Sequence, residues 1–385
     1  MANTIRGAAA FVGAALAGLG EAPGMSSEDI ALQASYKALA EAGLTTQDVD
    51  AVFGALPGDC SPLSGLLLAE MMGIKPKFTD NNRTGGSTFL SHTLMAAMAI
   101  KEGLCDTALI FYGSNQRSAS GKLVSSVKPF TYEADYKPLF PATSYALAAS
   151  RHMHEYGTTR EQLAHVAVAA RKWAEMNPDA FMRDPLTIED VLASRMVSSP
   201  LSVRDCCLVT DGGAALVMVS AERAKDLPKK PVYLLGGAAA TWHMNILAMP
   251  DLAESAAADS GPRAMEMAGV AHKDIDVVQL YDAFTINTIM FLEDLGFVKK
   301  GEGGAFVESG AIAPGGSLPV NTNGGGLSCV HPGMYGMFTL VEAIRQLRGE
   351  CGERQVEGAE IALCHGNGGV LSSQITNILG TEAAL

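Results

Sequence analysis

Apolar positions fall along this chain in strand-length runs separated by segments with helical spacing. Residues 5–14 are an almost unbroken apolar run, which predicts a buried strand. Ser26-Ser27-Glu28-Asp29 then opens a helical pattern through about Ala42, with acidic residues in its first turn and Gly43 as its stop. The arrangement recurs. Ala42-Gly43-Leu44 followed by Asp48-Val49-Asp50-Ala51-Val52 matches Ala268-Gly269-Val270 followed by Asp274-Ile275-Asp276-Val277-Val278 at identical spacing. Helix, glycine stop, short loop and buried strand occur twice, which suggests two homologous halves.

In the first half a helix is expected near 62–72, then the polar segment Asp80 to Ser87, a helix to about Gly103 and a strand from Thr107 to Tyr112. Alternating strands and helices predict an α/β fold with a mainly parallel sheet covered on both faces. From about Gly113 to Pro200 the pattern changes to a Ser-, Lys- and Tyr-containing loop and helical runs at 143–156 and 159–176, read as an inserted loop domain at about 114–205. Asp211-Gly212-Gly213 returns the chain to the sheet. The second half shows a helix around 251–268, a strand ending at Tyr281-Asp282-Ala283-Phe284, a helix ending at Gly296, and a Gly-rich loop to Asn321. A helix after Pro332 runs to about Arg348, and the strand 360–364 is followed by His365-Gly366 and a final strand. The domains are therefore expected at 1–225 and 226–385.

Composition narrows the function. The 385 residues carry a formal net charge of -13, which argues against a general nucleic-acid binder, since phosphate contacts need clustered Lys and Arg. It leaves room for CoA or a nucleotide, whose phosphates need only a few local cations and helix N-termini. The seven cysteines form no Cys-x-x-Cys pair and sit mostly in apolar runs, as expected of reduced thiols in a cytoplasmic protein without a metal site. Arg6 and the apolar run to Leu19 faintly resemble a signal peptide, but the many Ala and Gly favour a first strand. No apolar run reaches membrane-spanning length.

Chemistry concentrates at Asn321 to Gly336, Asn-Thr-Asn-Gly-Gly-Gly-Leu-Ser-Cys-Val-His-Pro-Gly-Met-Tyr-Gly. Consecutive glycines suit a close approach of backbone or ligand, and His331-Pro332 opens a helix-spaced run. The residues alone allow two readings: a Gly-rich turn with a satisfied histidine, or a site where an imidazole and backbone N–H groups meet a developing charge. Two further junctions line up with it, Tyr281 to Phe284 and Cys364-His365-Gly366, all where strands give way to loops or helices.

With these motifs on the page, the sequence resembles the thiolase superfamily across essentially its whole length. The Gly85-Gly86 segment, the Asn-x-x-Gly-Gly-x5-His-Pro stretch, the Asp-Ala-Phe strand end and the Cys-x-Gly turn carry the resemblance. Tyr-Asp-Ala-Phe-Thr, Leu-Glu-Asp-Leu-Gly-Phe and Arg345-Gln-Leu-Arg-Gly349 look like the lipid-transfer branch related to sterol-carrier-protein thiolases. The resemblance implies a duplicated thiolase fold of two βαβαβαββ halves in five αβαβα layers, usually a homodimer. It also implies an acyl-CoA thioester as substrate with no bound cofactor, and for many members a small zinc-ribbon/OB-fold partner protein.

One departure matters. The family's nucleophilic cysteine belongs at the start of the helix beginning Thr84-Gly85-Gly86-Ser87, and counting back from Ile100 puts Gly86 there, or Thr84 with a gap. Ser87 lacks a positioned base and reads as a cap or turn residue. Thiolase acyl transfer requires an acyl-enzyme, whereas retro-aldol cleavage of a β-hydroxyacyl-CoA requires only a base, an oxyanion site and an acid. The chain therefore resembles the steroid side-chain retro-aldolases that lack the cysteine. By transfer, His331 is the expected oxyanion donor, Tyr281 and Tyr335 the acid/base candidates, and Cys364 the family's acid/base cysteine. Each also has a plain reading as a buried, satisfied core group. Gly86, Ser87, Asp282, Asn321, His365 and Gly366 form the expected substrate-contacting set. Cys364 and His365 are neighbours on a strand and should face opposite sides. A CoA acyltransferase and a silent acyl-CoA-binding subunit are the competing functions.

Overall fold

Strand β1 (Ala9–Gly20) runs past the predicted end at residue 14 because β7 (Asp211–Ser220) pairs with it antiparallel as far as Gly20 and Asp211. Pairing with a neighbouring strand overrides the weak intrinsic strand preference of Ala and Gly. The computed structural model describes residues 5–57, 63–119 and 131–385. Cys60, the start of the helix predicted at 62 and the 120–130 part of the predicted insertion lie outside the described residues.

After β1 come α1 (Ser27–Glu41), β2 (Ala51–Ala55), α2 (Ser64–Met72), β3 (Phe78–Asp80), α3 (Thr88–Lys101) and β4 (Thr107–Ser114). Between β4 and β7 lie α4 (Thr131–Ala134), α5 (Ala142–Tyr156), α6 (Arg160–Glu175), α7 (Ile188–Ala193), β5 (Met196–Ser198) and β6 (Leu201–Ser202). The second half follows α8 (Ala221–Ala224) with β8 (Val232–Thr241), α9 (Ala257–Ala268), β9 (Val277–Leu280), α10 (Thr285–Asp294), α11 (Gly303–Glu308), α12 (Gly336–Arg348), β10 (Ile361–Gly368) and β11 (Ser373–Gly380).

The main sheet has nine strands in the order β3-β2-β4-β7-β1-β8-β11-β10-β9, joined at its centre by the pairs Ala10–Tyr233 and Phe11–Val232. Read from each outer edge, the halves repeat one plan. Val320 bridges Val278 in parallel just as β3 lies beside β2. Asp50 Oδ1 accepts from the Asp106 and Thr107 amides (both 2.9 Å) where β4 begins, and Asp276 Oδ2 accepts from Glu360 and Ile361 (2.8 and 2.9 Å) where β10 begins. The aspartates of the sequence repeat thus fasten each half's central strands.

Helix packing stacks the layers. α1 covers β1, β4 and β7 on one side, and α9 covers β8 and β11 on the other. α3 and α12 touch each other and strands of both halves, so they form the middle of five layers.

Four expected features differ in the structure. α9 begins at Ala257, because residues 251–254 close a bridged turn in which Asp251 Oδ1 accepts from the Ala253 amide (2.9 Å). The loop before Asn321 contains α11, which packs on α6 and α10. α12 begins at Gly336, not at His331-Pro332: residues 325–329 form a single π turn, and Val330 leaves it extended. The predicted Cys-x-Gly turn is strand, since β10 continues through Gly368. A β-carbon on Gly366 would stand 3.0 Å from Ser87 Cα, so the absent side chain lets the strand lie against the start of α3.

Candidate active site

The end of β9 delivers two site residues in succession. Leu280 pairs with His365 of β10, and the Tyr281 amide donates to the His365 carbonyl (3.0 Å), which fixes where the Tyr281 ring begins. The ring is 4% exposed. It occupies the space above Gly86: a β-carbon there would overlap the Tyr281 ring and stand 2.6 Å from the Asn367 carbonyl oxygen. Only glycine admits this packing without displacing ring or backbone.

Asp282, on the opposite side of the chain, holds the π turn. Its Oδ1 accepts from the Gly326 amide (2.6 Å) and its Oδ2 from the Leu327 amide (3.4 Å). A β-carbon on Gly325 would overlap this carboxylate, and Gly324 and Gly325 both have positive φ (101° and 66°), so the glycine run shapes a cradle for Asp282. Burial pushes the Asp282 carboxyl up to about 7 against the pull of those amides.

Past the π turn, the His331 amide donates to Thr210 Oγ1 (3.0 Å) and its carbonyl accepts from the Thr210 amide (3.4 Å), while the Tyr112 hydroxyl donates to the Pro332 carbonyl. So fixed, His331 Nε2 lies 3.0 Å from the Tyr281 hydroxyl, with the rings edge to face at 5.5 Å. Burial lowers the His331 pKa to about 4, which keeps the ring uncharged at neutral pH. The imidazole is a neutral partner of the phenol.

Tyr335 completes the cluster. Its ring stands edge to face with Tyr281 (5.8 Å) and parallel to His331 (6.3 Å), and its hydroxyl donates to Asn323 Oδ1 (2.9 Å). Tyr335 is reached from His331 through a loop, since α12 begins only at Gly336. Burial, followed by the Asp282 charge, holds the Tyr335 phenol far above its usual pKa; burial and then Cys207 and Tyr145 do the same for Tyr281.

The other expected residues sit around this core. Ser87 Oγ bonds Ser373 Oγ and Thr84 Oγ1 (both 3.0 Å), a turn network joining α3 to β11. Asn321, at φ 52°, turns Oδ1 back to the Leu280 amide (2.7 Å) and braces the end of β9. Cys364 faces α12, where its thiol donates to the Thr339 carbonyl (3.5 Å), and burial pushes its pKa up. His365 faces the other way, as strand alternation predicts, onto Thr376 Oγ1 (2.9 Å) and Gln374 Oε1 (2.8 Å). Gly366 backs onto Leu90 and Ser87. His243, which carries no assignment, meets the Val370 carbonyl (3.2 Å).

Sequence reasoning missed Asn323, although it stands in the same Asn-x-Asn motif as Asn321. It also missed Thr210, which nothing in its neighbourhood marks. Among the described residues no group of three or more His, Cys, Asp or Glu could hold a metal ion, and no helix is long and apolar enough to cross a membrane.

Residues 238–381 match the family model described as thiolase C-terminal domain-like. An acetyl-CoA acetyltransferase of Methanothermobacter thermautotrophicus is 34% identical, covering 94% of this chain and 96% of its own. A 17-hydroxy-3-oxo-4-pregnene-20-carboxyl-CoA lyase of Mycobacterium tuberculosis is 33% identical over 98% of this chain and 100% of its own. The chain belongs to the thiolase superfamily. The solved structure of an Ltp2-ChsH2(DUF35) aldolase superposes with a TM-score of 0.88 at 33% identity, covering 98% of this chain and 99% of that one. Relatives named as an acetyltransferase and as lyases thus both match this chain over nearly its whole length. At the start of α3, this thiolase-superfamily chain has no thiol, and a tyrosine ring fills the space.

Proposed function

We propose that this protein is a CoA-dependent carbon–carbon lyase that cleaves a β-hydroxyacyl-CoA by retro-aldol chemistry, giving a ketone or aldehyde and a shorter acyl-CoA. The packing of the Tyr281 ring over Gly86 carries the reading. An acyltransferase of this fold must hold an acyl group on a thiol between half-reactions, and neither thiol nor room for one exists at Gly86. A retro-aldol reaction carries no acyl-enzyme.

Tyr281 takes the β-hydroxyl proton while passing its own to His331 Nε2, 3.0 Å away. The Cα–Cβ bond breaks and its electrons move into the thioester as an enolate, whose charge the new imidazolium stabilises. His331 thereby fills the oxyanion role that the family resemblance gives it. Tyr335, kept protonated by its raised pKa, delivers a proton to the α-carbon. It regains one by solvent exchange as the Tyr281–His331 pair releases its own, so the net reaction consumes none. Asp282 and the π turn hold His331 in place. Ser87, Asn321 and His365 support the walls, Gly86 and Gly366 leave room for them, and Cys364 braces α12 without moving a proton.

The substrate is a CoA thioester and no further cofactor is required. The pregnene-derived substrate named for the M. tuberculosis relative supports a bulky, steroid-like acyl group here. The DUF35 component named in the superposed aldolase supports a small zinc-ribbon/OB-fold partner. We assign the protein to the cytoplasm as a homodimer, with its halves divided near residue 225 and the 114–205 segment as a loop domain.

Incubation with a tertiary β-hydroxyacyl-CoA, with and without a DUF35-type partner, tests the reading. Ketone release with no mass added to the protein is expected. Acyl transfer to free CoA, the reaction of the acetyltransferase relative, would overturn it. Saturable CoA-ester binding with no turnover under either condition would make the chain a silent binding subunit.

A further inference from the structure

The inserted segment brings one side chain to the site that the mechanism above does not use. Tyr145, on α5, is 2% exposed, and its ring stacks on Phe284 (centroids 4.4 Å apart, planes at 27°), in the segment that follows Tyr281. Its hydroxyl accepts from Asn367 Nδ2 (2.7 Å) and donates to the Gly369 carbonyl (3.3 Å). Asn367 Oδ1 accepts in turn from Gln374 Nε2 (2.8 Å), and Gln374 Oε1 lies 2.8 Å from His365 Nε2.

These bonds have one consistent polarity. Gln374 Oε1 can only accept, so His365 carries its proton on Nε2, and the Thr376 hydroxyl donates to Nδ1. Each donor then points along the series from His365 through Gln374 and Asn367 to Tyr145 and Gly369, and every member that gives a side chain is buried. The series ends at the β10 wall, where the Asn367 carbonyl borders the space above Gly86 that the Tyr281 ring fills. α5 is itself anchored further along, where His152 Nε2 meets Glu293 Oε2 at 2.9 Å, both side chains fully buried. Tyr145 is therefore a fixed strut.

We propose that Tyr145 is a positioning residue of the site: through Asn367 it fixes the wall that keeps the Tyr281 ring over Gly86. The kinetic part of this proposal rests on the lyase reading; the structural part does not. Tyr145→Phe keeps the stack on Phe284 and removes only the hydroxyl. In the full chain, kcat for ketone release is expected to fall roughly tenfold with KM within about twofold, the signature of lost alignment rather than lost binding. Adding Gln374→Ala should cost no further factor, because a series broken once is already broken. An unchanged kcat, or two losses that multiply, would overturn the proposal.

Amide hydrogen exchange gives a readout independent of turnover. Protection of residues 366–369 should fall in Tyr145→Phe while that of α3 stays as in the parent. Unaltered protection at 366–369 would overturn the strut whatever the kinetics. If the parent protein cleaves no β-hydroxyacyl-CoA yet Tyr145→Phe loosens residues 366–369, the lyase reading falls and the strut stands.

Discussion

The turn that starts α3, Thr84 to Ser87, and the turn that starts α12, His331 to Gly336, are counterparts in the two halves, and they meet at the centre of the molecule. A β-carbon on Gly336 would overlap the Gly86 carbonyl. Their side chains differ sharply. The first turn has only small residues, with Ser87 turned away into a hydroxyl network. The second brings an imidazole and a phenol against Tyr281. One half of the duplication supplies the volume and the other fills it with titratable groups. Both turns face the same space, so the small residues of one leave room for the rings beside the other.

If that division of labour holds, the largest effect belongs to the group that fills the space. Tyr281→Phe keeps the ring but removes the hydroxyl on His331 Nε2, and kcat for ketone release should fall about a thousandfold with little change in melting temperature. Retained turnover would show that the filled side carries no chemistry.

Next comes the side that yields the space. Gly86→Ala puts a methyl group into the Tyr281 ring, so a loss of about a hundredfold in kcat and about 1–3 kcal/mol of stability is expected in assays and denaturant melts. A variant that behaves like the parent would mean that the ring need not sit over Gly86.

Asp282 sharpens the comparison through pH. Its folded pKa of about 7 lies above the usual carboxylate range, so the native state binds its proton more tightly than the unfolded chain. The associated stability is complete below about pH 4 and is lost as pH rises toward 7. Asp282→Asn should remove this slope, so the parent-minus-variant difference in unfolding free energy declines from pH 4 to 7 and is flat above. His331 acts in the opposite sense: its folded pKa of about 4 means that stability is lost as pH falls from about 6.5 to 4, a loss that His331→Gln should lessen.

The smallest effect should come from Cys364. Its thiol lies against the Thr339 carbonyl, so Cys364→Ala should leave kcat within a factor of about two while slightly lowering the melting temperature. A large kcat loss would return this cysteine to the proton-transfer steps.

Much of the fold was legible because its signals are local. The capping aspartates at 48 and 274 and the strand-leading Asp50 and Asp276 make the same bonds in both halves, so their spacing in the chain already displays the repeat. The alternation that separates Cys364 from His365 follows from strand geometry alone. Boundaries failed where a distant partner decides them: β1 lengthens against β7, and β10 runs straight through glycines that read as a turn.

The sequence by itself determined that this is an α/β chain of the thiolase kind with no thiol at the start of α3. It also named the histidine and two tyrosines that the structure brings together. The α/β reading rests on short-range spacing, whereas the thiolase reading and the three site residues rest on the family resemblance that the motifs carry. Only the tertiary structure decided that Gly86 is a glycine because a ring from the other half lies over it. It alone set Asn321 against the Leu280 amide and His365 against Gln374, and it brought Tyr145 of α5 to Asn367. Each of these depends on contacts between segments far apart in the chain, where a missing β-carbon or the direction of a hydrogen bond is set by the partner.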